Sequence, residues 1–150
     1  MVSQLADWRH NVIDKMIQLE TLMNVVISQR YLGALRRDFY LEVLYDEQFT
    51  FALRRSIVEK ILGEQQDLRV LGSIRNVFAH CGAEMFDATL GAHRIPHPKD
   101  PAKSINFQGR YEEFEKLYPV VRNKIETWLT AQGVVLHPTD DPSEQPNDAV

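Results

Sequence analysis

The hexapeptide Arg75-Asn76-Val77-Phe78-Ala79-His80 places an arginine and a histidine five positions apart, just ahead of Cys81-Gly82. Arginine is a permanent cation whose rigid fork of donors suits a phosphate. Histidine, with an unperturbed pKa of about 6.5, takes and gives a proton at neutral pH. These are the two tools needed to cleave RNA without a metal. A base removes the proton of the 2′-hydroxyl, the oxygen attacks the adjacent phosphorus, and an acid protonates the leaving 5′-oxygen. Arginine stabilises the charge that develops on the phosphate. One such pair makes a thin site. Two copies brought together across a two-fold dimer make a sufficient one, because an isologous interface presents the same surface twice.

The elements that must position the pair read as helices. From about Ser3 to Tyr31 the residues Leu5, Trp8, Val12, Met16, Leu19, Met23 and Val26 step by three or four, with no Gly or Pro between them. That spacing is one face of a long helix. A second row, Ile13, Ile17, Val25 and Ile27, widens the face and suggests packing on more than one neighbour, a second subunit among them. Gly33 ends the helix. Residues 34–48 are ambiguous between a short helix and an extended buried segment, with helix preferred from the surroundings. Thr50 is positioned to cap a helix over about 50–62, whose buried side is Leu53, Ile57, Val58, Ile61 and Leu62, with Gly63 as its stop. Asp67 is expected to cap the motif helix over about 68–81, with Gly82 as its stop. Leu71, Ile74, Phe78 and Cys81 share its core face. Asn76 and His80 are neighbours one turn apart. Arg75 lies about 140° round the helix from His80, and its long side chain is expected to reach across.

Residues 83–108 contain Pro96, Pro98 and Pro101 and little helical period. They are expected to form a long irregular insert that follows the motif and folds back over it as a flap or short hairpin. A last helix is expected over about 110–131, from the row Tyr111, Phe114, Tyr118, Val121, Ile125 and Trp128, kinked or restarted at Pro119. The expected fold is therefore all-α. It is a four-to-five-helix bundle in a single domain over 1–136, followed by an acidic, disordered tail over 137–150.

Composition limits the partners. The 150 residues carry a formal charge of −4, with 44% hydrophobic and 25% charged residues, ordinary for a globular domain. The tail holds four of the 21 acidic residues and none of the 17 basic ones, so the remaining body is neutral. Neutrality permits local phosphate binding but argues against a sequence-blind nucleic-acid coat. No apolar run resembles a leader or a membrane span, and a single cysteine leaves no internal disulfide, so a cytoplasmic location is expected. His93 and His97, with His80 and Cys81 as further ligand types, have a spacing that binds metal when it falls on a helix. Pro96 and Pro98 rule out the helix that this spacing needs, and neither metal nor cofactor is expected. Cys81 falls on the apolar row and reads as core rather than nucleophile. Arg54-Arg55 reads as a solvated pair, with RNA docking as its lesser alternative.

The Arg-x4-His pattern within this layout resembles the Arg-x4–6-His signature of HEPN domains, small helical modules found in many RNA-cleaving toxins. The match is strongest over Arg69 to Gly82. The Arg-Asn-x-Phe-Ala-His wording is also similar to the mannitol operon repressor group and its uncharacterised relatives. The resemblance implies an all-α homodimer in which paired Arg75 and His80 line an interfacial cleft, with Asn76 as the polar residue that follows the arginine. One HEPN subgroup carries a tyrosine two places after the histidine. Gly82 stands there in this chain, so regulation through that tyrosine is not implied. The function so implied is a metal-independent endoribonuclease, a toxin or defence effector restrained by a protein antitoxin such as a nucleotidyltransferase. The alternative is a non-catalytic interaction or transcription-regulatory module that keeps the fold and the dimer.

Overall fold

The structure is a computed structural model that describes residues 2–80, 94–97 and 100–136. It is an all-α bundle, α1 (Val2–Leu32), α2 (Arg37–Phe39, running directly into a π-helical turn at Tyr40–Leu44), α3 (Phe51–Leu62), α4 (Gln66–His80) and α5 (Phe107–Ala131). A two-stranded antiparallel hairpin, β1 (Arg94–His97) and β2 (Asp100–Asn106), precedes α5.

The first helix organises the bundle. It packs against α3, α4 and α5, and α4 packs in turn against α5 and α3. Its apolar row is buried as spaced, from Leu5 through Val12, Met16, Leu19 and Met23 to Val26. At about 1.5 Å per residue it runs some ~46 Å, so it contacts every other long helix along its length. The second row is split. Ile27 joins the core, whereas Ile17 is 58% exposed at the mouth of a groove described below. Gly33 adopts φ 71° and turns the chain out of α1, and its N–H donates to the Gln29 carbonyl.

The elements differ from their sequence expectations in detail rather than in kind. The ambiguous stretch is helical, but Leu44 is its only buried residue, and Leu41, Val43 and Tyr45 face outward. Its chain widens into a π turn, a form that recurs at functional sites. On α3, capped as expected by Thr50 Oγ1 accepting from Leu53 N, the inward face is Phe51, Arg54 and Val58. Leu53 was expected inside and is 43% exposed. An apolar row alone cannot fix helix rotation when an arginine next to it finds a full set of acceptors. The motif helix begins at Gln66, with Leu68 and Arg69 donating to the Gln65 carbonyl, so Asp67 sits inside the first turn, favourably placed for the helix dipole, rather than at the cap.

The expected irregular insert contains a hairpin. Ile95 stands opposite Ile105 and Arg94 opposite Asn106, with a register irregularity between Pro96 and His97. A two-stranded ribbon has edges on both sides, which is where prolines are tolerated. Residues 81–93, which include Cys81, Gly82 and His93, and the tail at 137–150 lie outside the described residues. The last helix starts three residues earlier than expected, because the Asn106 side chain accepts from Gly109 N and caps it. Phe107 is consequently buried in its first turn, and the helix continues through Pro119. Phe107 packs edge-on against Phe78 at 5.4 Å, which sets the base of the hairpin beside the end of α4 that carries His80. Among the described residues no helix is long and apolar enough to cross a membrane.

The connection from α2 to α3 is fixed by Arg54, which is 8% exposed. Its Nε donates to Asn24 Oδ1 at 2.7 Å, Nη1 to the Phe49 carbonyl at 2.6 Å, and Nη2 to the Leu44 carbonyl. The guanidinium also lies 5.0 Å from the Phe49 ring. The pair expected at the surface is thus divided. Arg54 is internal and ties α1 to both ends of the loop, while Arg55 pairs with Glu59 at 3.6 Å. Replacing Arg54 with Met leaves three acceptors without their donor, and we expect a loss of about 3–5 kcal/mol in urea denaturation. Arg54→Lys should recover only part of this, since one ammonium cannot reproduce a planar fork. A loss within ~0.5 kcal/mol for Arg54→Met, the range of ordinary surface substitutions, would show that the loop is held by other means.

Candidate functional site

The motif helix presents two polar faces. Gln66, Arg69, Ser73, Asn76 and His80 step by three and four and are all exposed, forming one continuous solvent stripe. Asn76 and His80 therefore share a face, as the spacing predicts. Arg75 does not cross to join them. It turns to the other side, where Nη1 donates to Glu20 Oε1 of α1 at 2.5 Å and the guanidinium lies 4.9 Å from the Phe51 ring of α3. The Arg75 and Glu20 side chains are 28% and 21% exposed, so the pair is partly screened from water. Within one chain the arginine and the histidine consequently point into different spaces.

Local sequence explains the direction of Arg75. Gly72 is one turn before it, and a Cβ added at Gly72 would stand 2.5 Å from Phe51 Cε1. The missing side chain lets the Phe51 ring lie on the helix backbone, and that ring forms the platform under Arg75. Glu20 supplies a carboxylate from the opposite side. An arginine that gains an aromatic face and a charged acceptor together is drawn away from solvent.

Arg75 closes one side of a groove of about 460 Å³ between α1, the π turn, the following loop and the start of α3. Its lining includes Glu20, Thr21, Asn24, Tyr40, Tyr45, Asp46, Glu47 and Arg54. Asn24 and Arg54, both buried, lie in its wall, and Tyr45 is 69% exposed at its edge. Sequence reasoning missed Glu20, Asn24 and this groove. One signal was present: Asn24 interrupts the apolar run from Leu22 to Val26. Its partner was not legible, since Arg54 is 30 positions away. Glu20 and Arg75 are separated by 55.

Near His80, an aromatic group anchors the helix end. Trp8 stacks on Tyr111 at 5.1 Å, Phe78 meets Tyr111 edge-on at 6.4 Å, and Asn11 Nδ2 donates to the Tyr111 hydroxyl at 2.7 Å. Burial, together with the Glu115 carboxylate, pushes the Tyr111 phenol above its ordinary value. That phenol stays protonated and able to donate across the neutral range. At the other end of the stripe, Arg69 grips Glu59 with two bonds, Nε to Oε1 at 3.0 Å and Nη2 to Oε2 at 2.7 Å. The Arg69 hydrogen bonds hold the Glu59 carboxyl below its ordinary value, against the opposing effect of burial. Among the described residues no three His, Cys, Asp or Glu side chains gather where they could hold a metal ion.

Two predictions follow from these contacts. Gly72→Ala gains about 1 kcal/mol of helix propensity but forces the Phe51 ring aside. We expect the clash to dominate, with a net loss of about 1–2 kcal/mol in urea denaturation, relieved when Phe51→Leu is added. A neutral or stabilising Gly72→Ala would mean that the ring does not rest on that backbone. The second concerns pH. A carboxyl depressed by folding contributes stability above its unfolded pKa, here 4.5, and loses it as pH falls through the folded value. Wild type should therefore exceed Arg69→Ala in stability at neutral pH, and the difference should vanish as the medium is acidified below 4.5. A difference that is constant with pH would assign the effect of Arg69 to packing alone.

In comparisons with known proteins, no family model, no curated protein and no solved structure matches this chain.

Proposed function

We propose that the chain is a metal-independent endoribonuclease of HEPN type that works as a two-fold homodimer. In this reading His80 is the proton-transfer group, Asn76 orients the substrate beside it, and Arg75 stabilises the phosphate. The observation that carries the reading is the exposed stripe on α4 that ends in Asn76 and His80. It is polar, continuous and presented at the end of a helix whose inner face is locked in the core by Phe78. A second copy meeting this stripe across a two-fold axis would set two histidines on one cleft, supplying a base and an acid from identical residues. A biological role as a toxin or defence effector, restrained by a protein such as a nucleotidyltransferase, belongs to the same proposal.

One observation favours a second reading. Arg75 is already engaged by Glu20 and Phe51, as a structural arginine would be. A dimeric interaction or transcription-regulatory module without catalysis would use it in this way, and the ribonuclease reading requires Arg75 to exchange Glu20 for a phosphate.

The two readings separate in one experiment. Purified protein is incubated with RNA in EDTA, beside His80→Ala, Arg75→Ala and Asn76→Ala. The ribonuclease reading expects cleavage that leaves 2′,3′-cyclic phosphate ends, a loss of about 10²-fold or more in the first two variants, and a smaller loss in the third. Light scattering should give about twice the 17.4 kDa chain mass. Cleavage that needs a metal, full activity in His80→Ala, or a strict monomer would sink the composite site. A dimer without any cleavage would leave the interaction module.

A further inference from the structure

The α2 helix and the π turn that continues it bury one residue, Leu44, and turn an apolar ridge outward. Leu35, Leu41 and Tyr45 are each more than half exposed. They are neighbours. Leu35, Arg37, Tyr40 and Leu41 line one shallow surface hollow of about 370 Å³, and the Tyr45 ring leans on Tyr40 at 5.9 Å. Apolar side chains exposed singly need no explanation, whereas a contiguous ridge of them favours a protein partner.

Charge identifies the partner. Arg36 and Arg37 stand at the start of the ridge, Asp46 and Glu47 at its end, and all four are exposed. Asp46 is held in place by the Gln48 N–H, which donates to Oδ1 at 2.8 Å. A surface that is basic at one end, apolar in the middle and acidic at the other is its own complement when turned through a half rotation. Leu41 is the midpoint. Arg37 and Tyr45 each lie four positions from it, and Arg36 and Asp46 each lie five. With Leu41 on a two-fold axis, two ridges run antiparallel. Leu41 then meets its own copy, Arg37 lies over the Tyr45 ring of the second chain, and Arg36 reaches the acids at 46 and 47. The other acids of the segment, Asp38 and Glu42, follow Arg37 and Leu41 by one residue, so they sit roughly a quarter turn round the helix, off the ridge.

We propose that this ridge docks a second copy of the chain, antiparallel about a two-fold axis at Leu41. The surface shares no residue with the exposed stripe of α4, so the proposal does not rest on the ribonuclease reading. Copies that also pair through the stripe assemble here as a dimer of dimers. The ridge is short, and its contact falls at the small end of specific interfaces, below about 1,200 Å² in total. Association through it is therefore reversible and rises with concentration.

The test is sedimentation velocity of the full chain over a concentration series that reaches the millimolar range. Wild type should double in mass as concentration rises, whether the starting species is a monomer or a stripe-paired dimer. Leu41→Asp sets two carboxylates face to face on the axis and should weaken this step at least about tenfold. Arg36→Glu places acid against Asp46 and Glu47, and Glu47→Arg places base against Arg36. Each alone should weaken self-association about fivefold or more. Mixed in equal amounts, these two variants regain opposite charges at both contacts, and the mixture should associate about as well as wild type. Both change an exposed charge and remove no apolar contact, so they decide the matter even where Leu41→Asp melts early. A wild type whose mass does not change with concentration, indifference to all three substitutions, or a mixture no stronger than its separate components overturns the interface.

Discussion

The constraint on which the structure depends is the burial of a single guanidinium. Arg54 enters the space between α1 and α3 with no carboxylate bonded to it among the described residues, and three neutral oxygens meet it instead. A charge so placed is costly unless its donors are met, and a planar fork is the one cationic side chain that can meet three acceptors from three segments at once. The consequence is geometric. One oxygen belongs to α1, one to the end of the π turn and one to the loop before α3, so this residue fixes the entry of the chain into α3. The groove, the rotation of α3 and the position of Phe51 all follow from it.

Phe51 transmits that geometry to the motif helix. Its ring lies on the backbone of α4 at Gly72 and beneath Arg75, and it leaves the guanidinium facing Glu20. The arginine of the motif is therefore oriented by α1 and α3, whereas the histidine is oriented by the far end of α4, where Phe78 meets Phe107 and Tyr111. One helix carries two polar residues whose environments are set by different parts of the core. Any chemistry that needs both must either draw Arg75 away from Glu20 or combine residues from two chains.

The helices themselves were largely legible. The row from Leu5 to Val26, the Thr50 cap and the row Leu71, Ile74 and Phe78 are local patterns, and each appears as spaced. Boundaries were less legible where the capping group is not the expected one, as with Asn106, which starts α5 three residues early. A short hairpin was one of the two forms expected of the insert, and one is present, but too few alternating residues among its prolines mark where its strands run. The candidate site was half legible. Asn76 and His80 on one face follow from a separation of four residues alone. The orientation of Arg75 does not.

What the sequence determined by itself was periodic: which faces of α1, α4 and α5 are apolar, where several turns begin and stop, and the all-α class these imply. Helical spacing is a property of neighbours a few residues apart, so it survives without a partner. The tertiary structure alone decided which polar side chains go inside. Arg54 is buried because Asn24, Leu44 and Phe49 supply its acceptors, and Arg75 is turned because Glu20, 55 positions away, supplies a carboxylate. A long, flexible, charged side chain takes its direction from whichever partners the packing of distant elements brings within reach, and no local pattern encodes them.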